Sequence, residues 1–404
     1  MKSIKYLYKV GYGPSSSHTM APYNAAINFK NEFPDMDECK VVLYGSLAKT
    51  GKGHMTDSAI ISALIPIKTT VEFNTEESEL PHPNTMDFFA YKDGSLISKQ
   101  RIFSIGGGSI AVEGKNEPLE KDVYPHKNFE EIKQYCIENN LRLWQYVEKF
   151  EGSQIWEYLS EIWIVMQNSV NEGLKAEGIL AGGLGTQRKA KYLYSQRHID
   201  ESPETKESRT VASYAYAVSE QNAGMGVVVT APTCGSCGVV PSVLRYMQEK
   251  KGFSDIQIIH ALAAAGIIGN VIKTNASISG AECGCQAEIG SACCMAAAGL
   301  SELFEMELDQ IEYAAEVSME HHLGLTCDPI DGLVQIPCIE RNAVAAMRAI
   351  NSLNLANFLT YTRKISFDTV VDAMYETGRN MHYFYRETSE GGLAAKYNKD
   401  KKEI

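Results

Sequence analysis

Ile258-Ile259-His260-Ala261-Leu262-Ala263-Ala264-Ala265-Gly266-Ile267-Ile268-Gly269-Asn270-Val271 is apolar on most faces of a helix, and its reading decides the fold. A surface helix carries a single apolar stripe, so a segment apolar almost all round is expected at the centre of a packed helical body. It falls short of the roughly 20 apolar residues that span a bilayer, so no membrane is expected as a partner. Helical spacing surrounds it. Trp156 to Leu174 precedes it, and Cys293 to Leu303, Ile311 to His321, Asn342 to Leu353 and Phe367 to Tyr385 follow. Asn128, just before Glu130 and Glu131, reads as a helix start.

The first part of the chain has a different texture. Cys39 to Tyr44 has strand character, and Lys68 to Phe73, Met86 to Tyr91 and Ile97 to Ile105 alternate apolar and polar residues. Asp93-Gly94 reads as a hairpin turn. Helical patterns run from Thr19 through Phe29 and from Ser58 to Leu64, stopped by Pro66. Gly114 to Pro118 and Tyr124-Pro125 punctuate the chain where the pattern changes. The expected architecture is an α/β domain over residues 1–125 and a larger all-α domain over residues 126–404.

The 404 residues are 44% hydrophobic and 22% charged, with a formal net charge of −12, as suits a globular chain with a core of normal size. That charge argues against nucleic acid or an anionic membrane, which need clustered Lys and Arg; Arg188-Lys189-Ala190-Lys191 is short and reads as a solvated loop. The start, Met1 to Lys9, is broken by lysines and lacks the apolar stretch of a signal peptide, so a cytoplasmic location is expected. Thiols there stay reduced. Of ten cysteines, Cys39 and Cys136 stand alone and eight crowd between Cys234 and Cys338, a pattern that suggests metal or catalysis beside ordinary core packing. Only one CxxC is present, Cys234-Gly235-Ser236-Cys237, so spacing alone does not choose the ligands.

Other segments have two readings. Gly11-Tyr12-Gly13-Pro14-Ser15-Ser16-Ser17-His18-Thr19 precedes a helix and suits a carboxylate or phosphate, or simply caps that helix. Gly45 to His54 resembles a phosphate loop without the Walker spacing. Ile105-Gly106-Gly107-Gly108-Ser109 is a tight turn first and an anion site second, and Asn275 to Gly280 lines a pocket or caps the buried helix.

Gly13 to Thr19, Asn275 to Glu282, Gly284-Cys285-Gln286, Leu325-Thr326-Cys327-Asp328-Pro329, Pro337 to Ala343 and Tyr375-Glu376-Thr377-Gly378 together resemble the iron–sulfur L-serine dehydratases, in order and over essentially the whole chain. The resemblance implies an α/β domain followed by an all-helical catalytic domain. It also implies a [4Fe–4S] cluster held by Cys285, Cys327 and Cys338, 42 and 11 residues apart, which only the fold can assemble. Cys234, Cys237, Cys283, Cys293 and Cys294 are not among those ligands. Three thiolates leave one iron open, and that iron is expected to act as a Lewis acid on the serine hydroxyl while a base removes the α-proton. His18 and His54 are candidates for the base because histidine titrates near neutral pH, and Lys273 is a third if burial lowers its pKa. Ser15, Ser16, Ser17, Thr19, Asn275 and Ser277 are expected to bind the substrate's polar groups. Arg341 either receives the carboxylate bidentately or pairs with Glu340 or Glu282. Members often end in a cysteine that folds back onto the cluster. Glu390 to Ile404 contains none, so water or another small ligand is expected on the open iron.

The expected partners are L-serine and a second copy of the chain in a homodimer. A lyase acting on cysteine or threonine, a zinc-stabilised binding protein and a serine sensor are the competing readings.

Overall fold

The computed structural model describes residues 1–77, 79–115, 121–359 and 362–403. The chain starts inside what becomes the helical body. A 3₁₀ turn, Ile4–Tyr6, leads to strand β1 (Val10–Tyr12), and Met1, Ile4, Leu7 and Tyr8 are buried in the helical core. The α/β part follows as α1 (Ala21–Glu32), β2 (Glu38–Tyr44), α2 (Gly45–Thr50), α3 (Thr56–Leu64), β3 (Lys68–Asn74), β4 (Thr85–Lys92), β5 (Ser95–Gly106) and β6 (Ser109–Val112). The sheet order is β3-β2-β4-β5-β6, parallel between β2 and β3 and antiparallel elsewhere. Its core is Ala25, Ala26 and Phe29 of α1 and Ile60, Ala63 and Leu64 of α3, packed against Val41, Leu43 and Phe88. The expected strands form at these places within a residue or two. Asp93 and Gly94 both take positive φ and turn the β4–β5 hairpin, as expected. The glycine run after Ile105 turns β5 into β6.

The helical body comprises α4 (Phe129–Asn139), α5 (Leu143–Glu151), α6 (Gln154–Lys175), α7 (Ala190–Ser195), α8 (Pro203–Ala223), α9 (Val239–Lys251), α10 (Asp255–Asn275), α11 (Gly280–Cys283), α12 (Ser291–Leu303), α13 (Leu308–Glu320), α14 (Cys338–Leu359), α15 (Phe367–Asn380) and α16 (Gly392–Glu403). Between α8 and α9 the short strand β7 (Val227–Val229) pairs antiparallel with β1, with Gly11 opposite Val228. The α/β part is therefore fastened into the helical body by backbone.

Helix α10 is the central helix that the apolar run implies, wrapped by α5, α6, α12 and the N-terminal turn. Length does not keep it out of a membrane: its 21 residues are long and apolar enough to cross one, and the expectation of a shorter helix is corrected. Its apolar faces are covered by protein, with 78% of the most apolar window buried. Tyr8 Oη donates to Leu262 O at 2.9 Å, and Asn270 Nδ2 to Lys2 O at 2.7 Å. Helix α12 lies so close that a Cβ on Gly299 would sit 3.1 Å from Ala261 O and 3.5 Å from Ala265 Cβ.

The helix expected from Phe367 to Tyr385 ends at Asn380. Met381 is extended, and Tyr383–Tyr385 forms a separate 3₁₀ turn whose Tyr385 O accepts Cys327 N at 2.8 Å. A continuing helix would occupy that carbonyl internally. Of the punctuating stretch at Gly114 to Pro118, Asn116 to Pro118 lie outside the described residues.

Ala265→Leu places a larger side chain where α12 rests on α10. It should lower the unfolding free energy by about 1–3 kcal/mol. The readout is a fall in urea midpoint at unchanged m-value. A midpoint equal to wild type would show that the two helices separate without penalty.

Candidate active site

The serine-rich loop leaves β1 and crosses from the helical body to the α/β part. Gly13 is forced by packing, since a Cβ there would lie 2.2 Å from Asn222 O, and Asn222 Nδ2 donates to Pro14 O at 2.9 Å. Ser15 caps the following turn, a π-helical turn over Ser16–Met20, by accepting His18 N at 3.1 Å. Thr56 Oγ1 donates to His18 O, Ser104 Oγ to Ser17 O and Thr19 Oγ1 to His54 O. Helix α3 and strand β5 thereby fix the loop backbone, and the Thr19 side chain ties the loop to His54.

Behind this loop two imidazoles pack against each other, their planes tilted by 34°. His18 and His54 are 2% and 0% exposed, with ring centroids 4.6 Å apart. His18 Nδ1 lies 2.8 Å from Ser17 Oγ and Nε2 3.0 Å from Ser46 Oγ. His54 Nδ1 is 3.1 Å from Thr50 O, which only accepts, so Nδ1 carries the proton and the Nε2 lone pair faces Glu387 Oε1 at 3.8 Å. Burial holds both rings neutral. It lowers His54 to about 4 and takes His18 well below its ordinary value, with repulsion from His54 adding to the second shift.

Opposite the loop, three cysteines line the same cavity of about 810 Å³. Cys285 follows α11, Cys327 lies in the loop after α13, and Cys338 opens α14. Cys327 N donates to Tyr385 O and Glu387 N to Cys327 O, which clamps this loop to the segment after α15. Gln286 Oε1 accepts Gly324 N at 2.9 Å, joining the Cys285 and Cys327 loops. The hydrogen bond from Cys327 lowers the Cys285 thiol, with Arg341 contributing, and the same bond raises Cys327. Burial raises Cys338.

Two partly buried carboxylates, Glu288 and Glu387, absent from the expected set, line the same cavity. Glu288, raised by burial, accepts Thr233 Oγ1 at 2.6 Å. Glu387 is pushed up to about 8 by burial and then by the charge of Glu288. No motif marks either residue. Glu288 sits one turn beyond Cys285, a weak signal; Glu387 gives none except its position in a segment where it and Ser389 both take positive φ.

The structure gathers Ser15, Ser16, Ser17, Lys273, Ser277, Cys285, Cys327 and Cys338 around one cavity. Thr19, His18 and His54 do not line it and sit one layer behind. Lys273 Nζ donates to Tyr6 O at 3.3 Å. Ser277 Oγ donates to Glu282 Oε2 at 2.7 Å. Asn275 turns away: its Nδ2 donates to Lys127 O and Val271 O, which closes the last turn of α10. Arg341 pairs with neither Glu340 nor Glu282. It donates to Thr326 O at 2.5 Å and to Asp328 Oδ1 at 3.2 Å, behind the cysteines. Asp328 Oδ2 also accepts Leu393 N at 2.7 Å, so one buried carboxylate ties the guanidinium to the start of α16. Cys234, Cys237, Cys283, Cys293 and Cys294 are buried outside the cavity lining.

Residues 114–394 match the serine dehydratase alpha chain family and residues 3–69 the serine dehydratase beta chain family. The chain belongs to the serine dehydratase family. It is an enzyme, and both chain types of that family are present in one polypeptide. It is 41% identical to the L-serine dehydratase of Haemophilus influenzae, over 98% of this chain and 99% of that protein. It is 40% identical to L-serine dehydratase 1 of Escherichia coli, over 99% and 100%. With the L-serine dehydratase of Helicobacter pylori the identity is 34%, over 97% and 98%.

The neutral imidazoles make stability depend on pH. Between pH 6.5 and about 4 an unfolded His54 takes up a proton that the folded residue refuses, so acidification favours unfolding across that window. The loss should approach about 3 kcal/mol by the lower end. Urea midpoints measured from pH 7 to pH 4 should fall less steeply for His54→Asn than for wild type. Parallel curves would show that His54 titrates normally.

Proposed function

We propose that this chain is a pyridoxal-independent L-serine dehydratase, converting L-serine to pyruvate and ammonia with a [4Fe–4S] cluster held by Cys285, Cys327 and Cys338. The observation that carries the reading is that these three cysteines and Ser15, Ser16 and Ser17 line a single cavity.

The donor set fits a cluster. Soft thiolates are its usual ligands. Among the described residues no three His, Cys, Asp or Glu side chains converge as the ligands of one ion would. Three cysteines from separate loops that line one cavity suit a polynuclear group. When bound through three cysteines, such a cluster supplies a Lewis acid for a hydroxyl that is otherwise a poor leaving group.

The chain's own residues do the rest. Ser15 and Ser16 line the cavity and offer hydroxyls to the substrate carboxylate. Lys273 and Ser277 border the same space and add a cation and a hydroxyl. Arg341, fixed by Asp328, offsets the negative charge of Cys285 and Cys338 from behind. The buried pair His18 and His54, both in the accepting neutral form, is the destination of the α-proton. Lys273 is set aside as the base because its amine is engaged with the Tyr6 carbonyl. The ten free cysteines support a reducing, cytoplasmic setting.

The test is anaerobic. Protein reconstituted with iron and sulfide should be brown, with absorption near roughly 400 nm, and should release pyruvate from L-serine. Cys285→Ala, Cys327→Ala and Cys338→Ala should each lose both the colour and pyruvate release. Retention of activity in any of the three, or a colourless wild type that binds serine without turnover, would overturn the reading.

A further inference from the structure

We propose that Ser17 is the catalytic residue that takes the Cα proton of the substrate, handing its own hydroxyl proton to His18. The inference rests on the serine reading above and names the group through which the buried histidines act.

The argument is one of access. The His18 ring is 2% exposed and does not line the cavity, so a substrate cannot touch it. Ser17 does line the cavity, and its Oγ lies 2.8 Å from His18 Nδ1, the arrangement in which a base activates a hydroxyl. Ser15 Oγ lies 3.3 Å from Ser17 Oγ, and Ser17 is the loop hydroxyl that meets the His18 ring. Ser15 Oγ accepts His18 N, and Thr19 Oγ1 donates to His54 O. Ser17 is also held rigidly, since its carbonyl accepts Ser104 Oγ at 2.8 Å and the next carbonyl accepts Thr56 Oγ1 at 2.5 Å. On its far side the His18 ring meets Ser46, whose hydroxyl lies 3.0 Å from Nε2 and whose backbone carbonyl favours a proton on that ring. A proton on Nε2 leaves the Nδ1 lone pair for the Ser17 hydroxyl.

The step balances. The Cα proton passes to Ser17 Oγ while the Ser17 proton passes to His18 Nδ1. The C–H electron pair becomes the Cα–Cβ π bond, and the hydroxyl leaves with the C–O pair. That hydroxide and one proton of the substrate ammonium make up water. His18, now an imidazolium, returns its proton through Ser17 to Cβ of the aminoacrylate. The resulting iminium is hydrolysed by water to pyruvate and ammonium.

The competing role for Ser17 is to bind the substrate carboxylate, and steady-state kinetics separate the two. In the cluster-loaded enzyme, Ser17→Ala should lower kcat by about 100-fold or more with KM within about threefold, the usual loss for a missing acid–base group. Ser17→Thr, which keeps the hydroxyl, should recover most of that loss. With L-serine deuterated at Cα, wild type should carry part of the label into the pyruvate methyl group, and the residual turnover of Ser17→Ala should not. A KM raised about tenfold with kcat preserved would assign Ser17 to carboxylate binding and overturn the proposal. So would an equal kcat loss in Ser17→Ala and Ser17→Thr at wild-type melting temperature and iron content, or an unlabelled methyl group from wild type. A wild type that makes no pyruvate overturns the serine reading as well. An active wild type with an unimpaired Ser17→Ala overturns this proposal alone.

Discussion

Anchorage of the first twelve residues to the helical body, by buried side chains and the β1–β7 ladder, is the constraint on which the site depends. Ile4, Leu7 and Tyr8 are almost completely buried there, each by about 1.5–3 kcal/mol of apolar transfer. Val123 N and Tyr124 N both donate to Met1 O, so the chain leaves the α/β part beside the place where it began. The β1–β7 ladder then aims the next residues. The serine-rich loop emerges from β1 at a point set by the helices, and its hydroxyls face the Cys285, Cys327 and Cys338 loops because of that anchorage. Sheet and helices are separate cores, and the shared N-terminal segment makes them one site.

Much of the fold was legible because periodicity reports burial. An apolar run without a polar face has one stable home, and α10 occupies it. Alternating strands and the Asp93-Gly94 turn are local signals that a five-stranded sheet satisfies. What escaped was decided by distant partners. Nothing in Phe367 to Tyr385 states that the helix must stop at Asn380, because the reason is the Cys327 backbone. Asn275 follows an apolar helix, as a pocket residue would, yet its amide closes that helix instead. Arg341 lies one turn beyond Cys338, and its carboxylate partner is Asp328 rather than an acid close to it in sequence.

The site divides in the same way. Long motifs identified the serine loop and selected three cysteines from eight. Glu288 and Glu387 were invisible, since a lone glutamate is ordinary until the fold buries it. Once buried, they change the character of the cavity. Three thiols and two carboxylates line one cavity: desolvation raises Cys338, Glu288 and Glu387, the Cys285 bond and then desolvation raise Cys327, and the Cys327 hydrogen bond with Arg341 favours Cys285 as a thiolate. Removing several acids from water is tolerable only if they stay protonated or gain positive charge. Such a wall is electrostatically suited to a cationic occupant, whose arrival displaces protons from its ligands.

The opposite wall obeys the reverse rule. Two imidazoles with centroids 4.6 Å apart could not both be charged without severe repulsion, and burial already disfavours charge on either. Their lowered pKa values keep them neutral acceptors near neutral pH. Their interment keeps water from competing for the lone pairs. The short helix α2 serves both rings, since Ser46 at its start meets His18 and the carbonyl of Thr50 at its end meets His54. One turn of helix thus sets the orientation of both rings. The sequence Gly45 to His54, which looks like an imperfect phosphate loop, is better understood as the bracket that holds them.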